Sequence, residues 1–241
     1  MAAVMSGHVF APAAAHPRTV RGLHWFLAAS VLTLMFSGFV ILMAHPRLYW
    51  GKTGNDLTPA IIELPIGRNY KHGGWVGEMR TYDIFNKNGW ARSLHFLAAW
   101  FLVLTGLVYL AWGIGSGHLW THIIPRMRDF SPQRIREDFR KHLHLSALRV
   151  TGGLPYGIIQ KLTYGLVLLI ALPLMVLTGL TMSPAVTAAH PGLLDLFGGS
   201  QSARTIHFIV FAALVLFVII HVSMVVLTGF KRQIRSMTIG G

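Results

Sequence analysis

Three long apolar segments of the chain begin with the same pattern: an arginine, a histidine one helical turn later, and then an aromatic residue. The pattern occupies residues 21–25, 92–96 and 204–208. A histidine inside a bilayer is costly, so His24, His95 and His207 each indicate a functional site. A fourth histidine, His221, lies deep in the last apolar segment. Imidazoles in such surroundings are typical ligands of metal ions or of haem iron.

The apolar segments are long enough to cross a bilayer, which requires about 20 residues. They cover approximately residues 23–43, 93–112, 162–182 and 205–230, and none contains Asp, Glu, Lys or Arg. Only 12% of the 241 residues are charged, about half the share that is usual in soluble domains. The sequence therefore predicts an all-α integral membrane protein, with one domain (residues 1–241) that forms a bundle of four transmembrane helices.

Positive charge is concentrated in the segments that flank these spans. The net charge is +13, and positively charged loops favour the cytoplasmic side of a membrane. Loop 113–161 carries eight Lys or Arg residues, loop 183–203 carries none, and loop 44–89 carries six together with four acids. We expect both termini and the second loop to be cytoplasmic, and the first and third loops to be outside, in a bacterial inner membrane. Topology and anionic lipid account for the charge, so nucleic-acid binding is not expected.

Cysteine is absent from the chain. Its absence excludes thiolate-bound iron–sulfur clusters and covalently attached c-type haem, which requires Cys-x-x-Cys-His. No cleavable signal peptide is evident, because the first basic residue is Arg18 and no clear small-residue cleavage site follows the first apolar run. We expect that run to be retained as the first helix.

Helix direction sorts the four histidines into two pairs. With the N-terminus inside, His24 lies near the inner end of the first helix and His221 near the inner end of the last. His95 and His207 both lie near the outer ends of their helices. We call His24 and His221 the inner pair, and His95 and His207 the outer pair. Reversing the orientation of the chain would leave the pairing unchanged.

The two histidines of the last helix also share one face. They are 14 residues apart, about 40° short of four turns, with a rise of roughly 21 Å between them. Two ligands on one face, each met by a histidine from another helix, predict two stacked haems of b type with bis-histidine ligation. Zinc would prefer three or four ligands at one depth. A lone buried histidine is more often a satisfied polar residue, but four that pair by depth argue against that interpretation.

Glycines and arginines accompany the histidines. By helical rotation Gly38 falls at the depth of the outer pair and Gly106 at the depth of the inner pair, where each could let a porphyrin approach the backbone. Ordinary close packing of helices is the alternative. Arg21, Arg92 and Arg204 lie one turn toward the surface from their histidines and are suited to bind haem propionates. Anchoring of the helices at lipid headgroups is compatible with that role.

The two long loops also carry predictions. The outer loop is rich in aromatic residues and glycine, which favours irregular or short-strand structure and a docking surface at 45–50 and 75–85. Within that surface, Tyr49 and Trp50 are the expected anchors. In the second loop, Ser131 and Pro132 begin a short basic amphipathic helix that is expected either to lie on the inner membrane surface or to be a solvated loop helix.

These residues resemble a known family, the four-helix, di-haem cytochrome b subunits of membrane-bound formate dehydrogenase, nickel–iron hydrogenase and thiosulfate reductase, and more distantly bacterial cytochrome b561. The likeness covers roughly residues 18–232 and depends on the arginine–histidine phrases and the 14-residue spacing on the last helix. It implies the same four axial ligands, His24, His95, His207 and His221. Residues 44–51 (Ala-His-Pro-Arg-Leu-Tyr-Trp-Gly) resemble the thiosulfate-reductase subgroup, which implies a molybdopterin oxidoreductase partner. The long first loop differs from the short connections in formate dehydrogenase subunits.

The function we expect is transmembrane electron transfer between an extracytoplasmic redox subunit and quinone. The spans offer no acid–base pair for substrate chemistry, so no catalytic residue is predicted, and the chain is expected to be a subunit rather than a complete enzyme. A quinone pocket would involve the second loop, near His142, His144 or Arg149. Two alternatives are a stand-alone quinone oxidoreductase of the b561 kind and a transporter or proton channel with a histidine relay. Co-purification of a second subunit distinguishes the first alternative, and colourless protein would indicate the second.

Overall fold

The computed structural model describes residues 16–55, 57–66, 89–143 and 157–239. Four of its helices are long and apolar enough to cross a membrane. They are α1 (Arg18–Ala44), α2 (Gly89–Gly115), α4 (Ile158–Leu180) and α7 (Ser200–Thr238). Shorter elements are β1 (Arg47–Leu48), β2 (Ile62–Glu63), α3 (Pro132–Leu143), α5 (Pro184–Ala189) and α6 (Gly192–Leu196). The predicted all-α membrane fold with four spans is confirmed.

Three of the four spanning helices extend beyond the apolar windows at both ends. α1 begins at Arg18 and α7 continues to Thr238, because backbone hydrogen bonding proceeds into the polar interface where hydropathy no longer detects the helix. α4 contains a π-helical stretch, Val167–Ala171. Pro173 follows it in the chain. A proline lacks the N–H of a regular helical bond and crowds the carbonyl four residues earlier, which a local widening of the helix relieves.

The four long helices form two hairpins. α1 packs along α2, and α4 packs along α7. α7 also approaches α1, although over a shorter stretch. The two hairpins therefore leave room between them, and the four histidines of the apolar spans lie where α7 faces α1 and α2.

The segment 49–52 caps the outer end of α7, and we call it the outer strap. The Gly51 carbonyl accepts the backbone N–H groups of Gln201 and Ser202 at 3.0 and 3.3 Å. Ser202 Oγ accepts the Gly51 N–H at 2.7 Å, and Thr205 Oγ1 donates to the Tyr49 carbonyl at 2.6 Å. Gly51 and Gly199 have φ of 98° and 120°, values that glycine adopts readily. The strap thus satisfies N–H groups that every helix leaves unpaired at its start.

The two strands of a short hairpin lie on either side of this strap in the chain: β1 precedes it and β2 follows it. Arg47 pairs with Glu63 and Leu48 with Ile62 in antiparallel register, in agreement with the short-strand structure expected of the outer loop. Tyr49 is only 6% exposed, and Trp50 is 58% exposed. The expectation that Tyr49 anchors a partner is therefore wrong. Its ring packs inward against Gly54, so closely that a Cβ at position 54 would overlap the ring. The aromatic residues at 70, 75, 82 and 85 lie outside the described residues.

Two aspartates tie the second loop to the start of α4. Lys161 Nζ lies 2.8 Å from Asp129 Oδ2, and both side chains are largely buried. Asp138, on α3, accepts the Ile159 N–H at 2.9 Å and so caps α4 from another element. The helix expected at Ser131 and Pro132 is present, and it carries Ile135 and Phe139 exposed among basic residues. Its contact with a membrane surface stays a prediction.

Candidate functional site

The inner pair brings together α1 and α7. The rings of His24 and His221 have centroids 6.4 Å apart and planes tilted by 50°. Trp25 meets the His24 ring edge-on at 5.3 Å, and Phe217 stacks on His221 at 5.7 Å. The aromatic neighbours surround the imidazoles with apolar surface and hold them against their helices.

The outer pair brings together α2 and α7 with nearly the same geometry. The rings of His95 and His207 are also 6.4 Å apart, with planes tilted by 59°. Both pairs therefore join the α1/α2 hairpin to α7. The structure places each histidine with the partner that helix direction indicated, and it keeps the two pairs 14 residues apart along α7.

The spacing within each pair fits a metal ion between two imidazoles. A metal–imidazole bond is about 2.0 Å long and a ring nitrogen lies about 1.1 Å from its ring centre, so two opposed ligands have centroids about 6.2 Å apart. Among the described residues, no group of three or more His, Cys, Asp or Glu could hold a metal ion by itself. Two imidazoles with centroids at this distance suit a group that supplies its own equatorial ligands, as a porphyrin does.

Hydroxyl groups hold both imidazoles of the outer pair. Ser37 Oγ lies 3.0 Å from His95 Nδ1, and Thr178 Oγ1 lies 2.9 Å from His207 Nδ1. Both hydroxyls are fully buried. Each also donates to a carbonyl one turn earlier in its own helix, Ser37 to Thr33 at 2.8 Å and Thr178 to Leu174 at 2.7 Å.

These bonds favour one tautomer of the outer histidines. A hydroxyl has one proton, and in each case a backbone carbonyl lies in position to accept it, so we assign the hydroxyl oxygen as the acceptor of the imidazole Nδ1–H. With the proton on Nδ1, each Nε2 keeps its lone pair for a metal.

The inner pair lacks such support at His24. Its Nδ1 is buried and has no hydrogen-bond partner among the residues that the structure describes. Arg21 Nη1, one turn away, is likewise buried without a partner in the described part of the chain. Unpaired buried polar atoms are rare in folded proteins. An anion such as a carboxylate would satisfy a guanidinium in this position.

Two glycines lie directly against the outer imidazoles. A Cβ on Gly38 would stand 3.4 Å from His95 Cε1, and a Cβ on Gly179 would stand 3.5 Å from His207 Cε1. Gly106 has open space where its Cβ would be. Gly38 thus lies beside a histidine of the outer pair, as its expected depth indicated, whereas the packing of Gly38 and Gly106 against a haem stays a prediction.

Cationic side chains lie near the outer pair, at the outer end of the bundle. Arg204 Nη1 donates to Gln201 Oε1 at 3.4 Å, and Arg92 is exposed at the start of α2. Partial burial, together with the nearby charges of Arg204 and then Arg92, lowers the pKa of His45. His45, which begins the expected docking surface and was assigned no haem, therefore shares the outer end of the bundle with both arginines.

Sequence reasoning missed Ser37, Thr178 and Gly179. A signal was available, because each of the four spans contains a Ser-Gly or Thr-Gly dipeptide, at 37–38, 105–106, 178–179 and 228–229. A further pair, His118 and His122, stacks at 4.6 Å after the end of α2. Of the expected quinone residues, the side chain of His142 and all of His144 and Arg149 lie outside what the structure describes.

Comparison with known proteins decides the family. The family described as prokaryotic cytochrome b561 matches residues 15–240. The chain belongs to this cytochrome b561 family. It is also 32% identical, over 214 residues, to the putative protein-methionine-sulfoxide reductase subunit YedZ1 of Azospira oryzae, a match that covers 89% of this chain and 91% of that protein. No solved structure matches the chain.

Membership makes this chain a multi-pass b561-type membrane cytochrome, a class whose members bind haem b and transfer electrons. The family therefore accounts for buried imidazoles in an apolar bundle. It also removes the transporter and proton-channel alternative, which predicted a protein without haem.

Proposed function

We propose that this b561-family cytochrome is a membrane subunit that transfers electrons between an extracytoplasmic oxidoreductase and quinone, with a haem b in each histidine pair. The observation that carries the proposal is the repeated 6.4 Å spacing of two histidine pairs at two depths along α7. When bound, each haem supplies a one-electron redox centre. His24 and His221 would be the axial ligands of the inner haem, and His95 and His207 those of the outer haem.

The distance between the pairs suits electron transfer across the bilayer. Fourteen residues of α7 separate its two histidines, which corresponds to roughly 21 Å of helix, against an apolar thickness of about 30 Å. One pair therefore lies near each surface. The apolar side chains between them exclude water, which protects one-electron states from side reactions.

Positive side chains at both ends are suited to hold propionates. Arg21 offers a buried, unpaired Nη1 beside the inner pair. Arg204 and Arg92 lie above the outer pair together with His45. Guanidinium groups bind carboxylates through two parallel hydrogen bonds, and a propionate at Arg21 would remove the unsatisfied donor.

An extracytoplasmic partner is supported by the outer loop and by the named relative. The relative is described as a subunit of a putative protein-methionine-sulfoxide reductase, and the resemblance of residues 44–51 implies a molybdopterin oxidoreductase. Trp50 is exposed within the outer strap, which is bonded directly to the helix that carries His207. Exposed tryptophans are frequent anchors of interfaces. We therefore infer that the partner docks at Trp50, over the outer pair.

Haem content tests the central proposal. Purified protein should contain two low-spin b-type haems per chain in a pyridine haemochrome assay. His24→Ala and His221→Ala should each remove the same redox component, and His95→Ala and His207→Ala the other. One haem in the unmodified protein, or loss of the same component from His24→Ala and His95→Ala, would contradict the arrangement.

Partner docking is tested at Trp50. Trp50→Ala should slow reduction of the cytochrome by its co-purified oxidoreductase subunit by tenfold or more, because loss of an interface anchor costs about 2 kcal/mol or more. Reduction by a soluble quinol analogue should keep its rate. Leu57→Ala is the matched control, since Leu57 is 94% exposed in the same loop. Equal rates in Trp50→Ala and the unmodified protein, or absence of any co-purifying subunit, would favour the stand-alone quinone oxidoreductase.

A further inference from the structure

We infer that Ser37 and Thr178 are positioning residues that lower the midpoint potential of the outer haem below that of the inner haem. The inference rests on the proposed function, because it requires one haem in each histidine pair. It concerns residues that touch neither substrate nor cofactor and that act through His95 and His207.

The same arrangement occurs twice, on two different helices. α1 presents Ser37 and Gly38 to His95, and α4 presents Thr178 and Gly179 to His207. In both cases the hydroxyl meets Nδ1 and the following glycine leaves room beside Cε1. Each imidazole is thereby held in one orientation by a polar contact and a close backbone approach.

The direction of the hydrogen bonds determines their electronic effect. Both hydroxyls lie in position to donate to a carbonyl of their own helix, so we assign both as acceptors from the imidazole Nδ1–H. An acceptor at Nδ1–H draws that proton away from the ring and makes Nε2 a stronger electron donor to a metal. A stronger donor stabilises the more positive, oxidised iron, and hydrogen bonding around the ligands is one of the means by which a protein adjusts a haem potential.

The inner pair shows a clear contrast. His24 Nδ1 is buried without an acceptor among the described residues, and the ring contacts of His24 and His221 include the aromatic side chains of Trp25 and Phe217. The hydroxyl effect therefore operates on the outer pair and not on His24. Cationic groups near the outer pair act in the opposite sense, but the propionates that they would bind carry compensating negative charge.

Redox titration of purified variants, followed optically at the haem α-band, tests the inference. Ser37→Ala and Thr178→Val should each shift the outer component to a more positive potential, the double variant should shift it further, and the inner component should not move. Thr178→Ser keeps the hydroxyl and should stay close to the unmodified protein. Ser30→Ala is the matched control, because Ser30 is a buried serine of α1 that donates to the Phe26 carbonyl in the same way.

The components are assigned with the single-haem variants. The lower-potential component of the unmodified protein should disappear in His95→Ala and persist in His24→Ala. If Ser37→Ala loses the outer haem altogether, the comparison of Thr178→Val with Thr178→Ser decides, since valine has the shape of threonine.

Two results would overturn the inference while leaving the proposed function intact. In the first, both haems are bound, but Thr178→Val leaves the midpoint potential of the outer component unchanged or shifts the potentials of both components equally. In the second, the lower-potential component belongs to the inner pair. By contrast, one haem or none in the unmodified protein would mean that the proposed function itself has failed.

Discussion

At the scale of single residues, small groups determine how the outer imidazoles are presented. A Cβ at Gly38 or Gly179 would lie at van der Waals distance from a histidine ring, so at these positions a side chain larger than alanine competes with the ring for the same space. Their neighbours Ser37 and Thr178 form hydrogen bonds with the Nδ1 atoms of His95 and His207. Orientation and protonation of each ring thus depend on two adjacent residues of another helix.

A leucine at Gly38 should displace His95. Because a Cβ there would already be 3.4 Å from the ring, the further carbons of leucine overlap it, and overpacking of this kind is not absorbed by a close-packed interior. We expect Gly38→Leu to retain the inner haem and lose the outer one, which halves the haem content in a pyridine haemochrome assay. Ala29→Leu, which enlarges an exposed position of the same helix, should keep both haems. Full haem content in Gly38→Leu would contradict the close approach.

At the scale of elements, α7 organises the bundle because it contributes one ligand candidate to each pair. Its outer end is capped by the outer strap, and its inner part bends at Gly229, where φ is 117° and ψ is 82°. Beyond the bend, the Met237 carbonyl accepts the Trp25 indole N–H at 2.8 Å. The bend therefore brings the C-terminal part of α7 to the residue that follows His24.

Gly229→Ala should destabilise the protein through the backbone alone. No heavy atom lies closer than 4.0 Å to a Cβ at this position, but a positive φ costs a residue with a side chain about 1–2 kcal/mol. We expect the melting temperature in detergent, followed by circular dichroism, to fall by several degrees. Gly22→Ala, also on an open surface and in regular helix, should be neutral or slightly stabilising. Equal melting temperatures for the two variants would show that the bend is not required.

At the scale of the whole molecule, orientation determines which pair faces which compartment. Loop 113–161 carries eight Lys or Arg residues and loop 183–203 carries none, an asymmetry that predicts cytoplasmic termini. The ion pair of Asp129 with Lys161 and the cap from Asp138 hold this basic loop against α4. The outer strap forms the opposite end, so the two ends of the bundle present different surfaces.

Labelling of single cysteines tests this orientation cleanly, because the chain has no cysteine of its own. A membrane-impermeant maleimide should label Thr53→Cys, exposed in the first loop, in intact spheroplasts. It should label Arg136→Cys, exposed on α3, only after permeabilisation. The reverse pattern would place each histidine pair near the opposite side of the membrane, and the same two histidines would still form each pair.

Much of the architecture could be predicted from the sequence, since hydropathy and helical period act locally. Apolar runs of about 20 residues must be helices in a bilayer, because only a helix satisfies its own backbone there. The depth of His24, His95, His207 and His221 then follows from their positions along those runs. Their role as axial ligands stays a prediction.

Other features depended on tertiary packing, because the rotation of a helix and the path of a loop are determined by contacts between elements distant in the chain. Ser37 and His95 are 58 residues apart and Thr178 and His207 are 29 apart, so no local pattern reveals that they meet. Tyr49 is an aromatic loop residue by sequence, yet its carbonyl bonds to Thr205 and its ring is buried. The length of a helix and the depth of a histidine depend on a single segment of the chain. The hydrogen-bond partner of each Nδ1 depends on how two segments pack together.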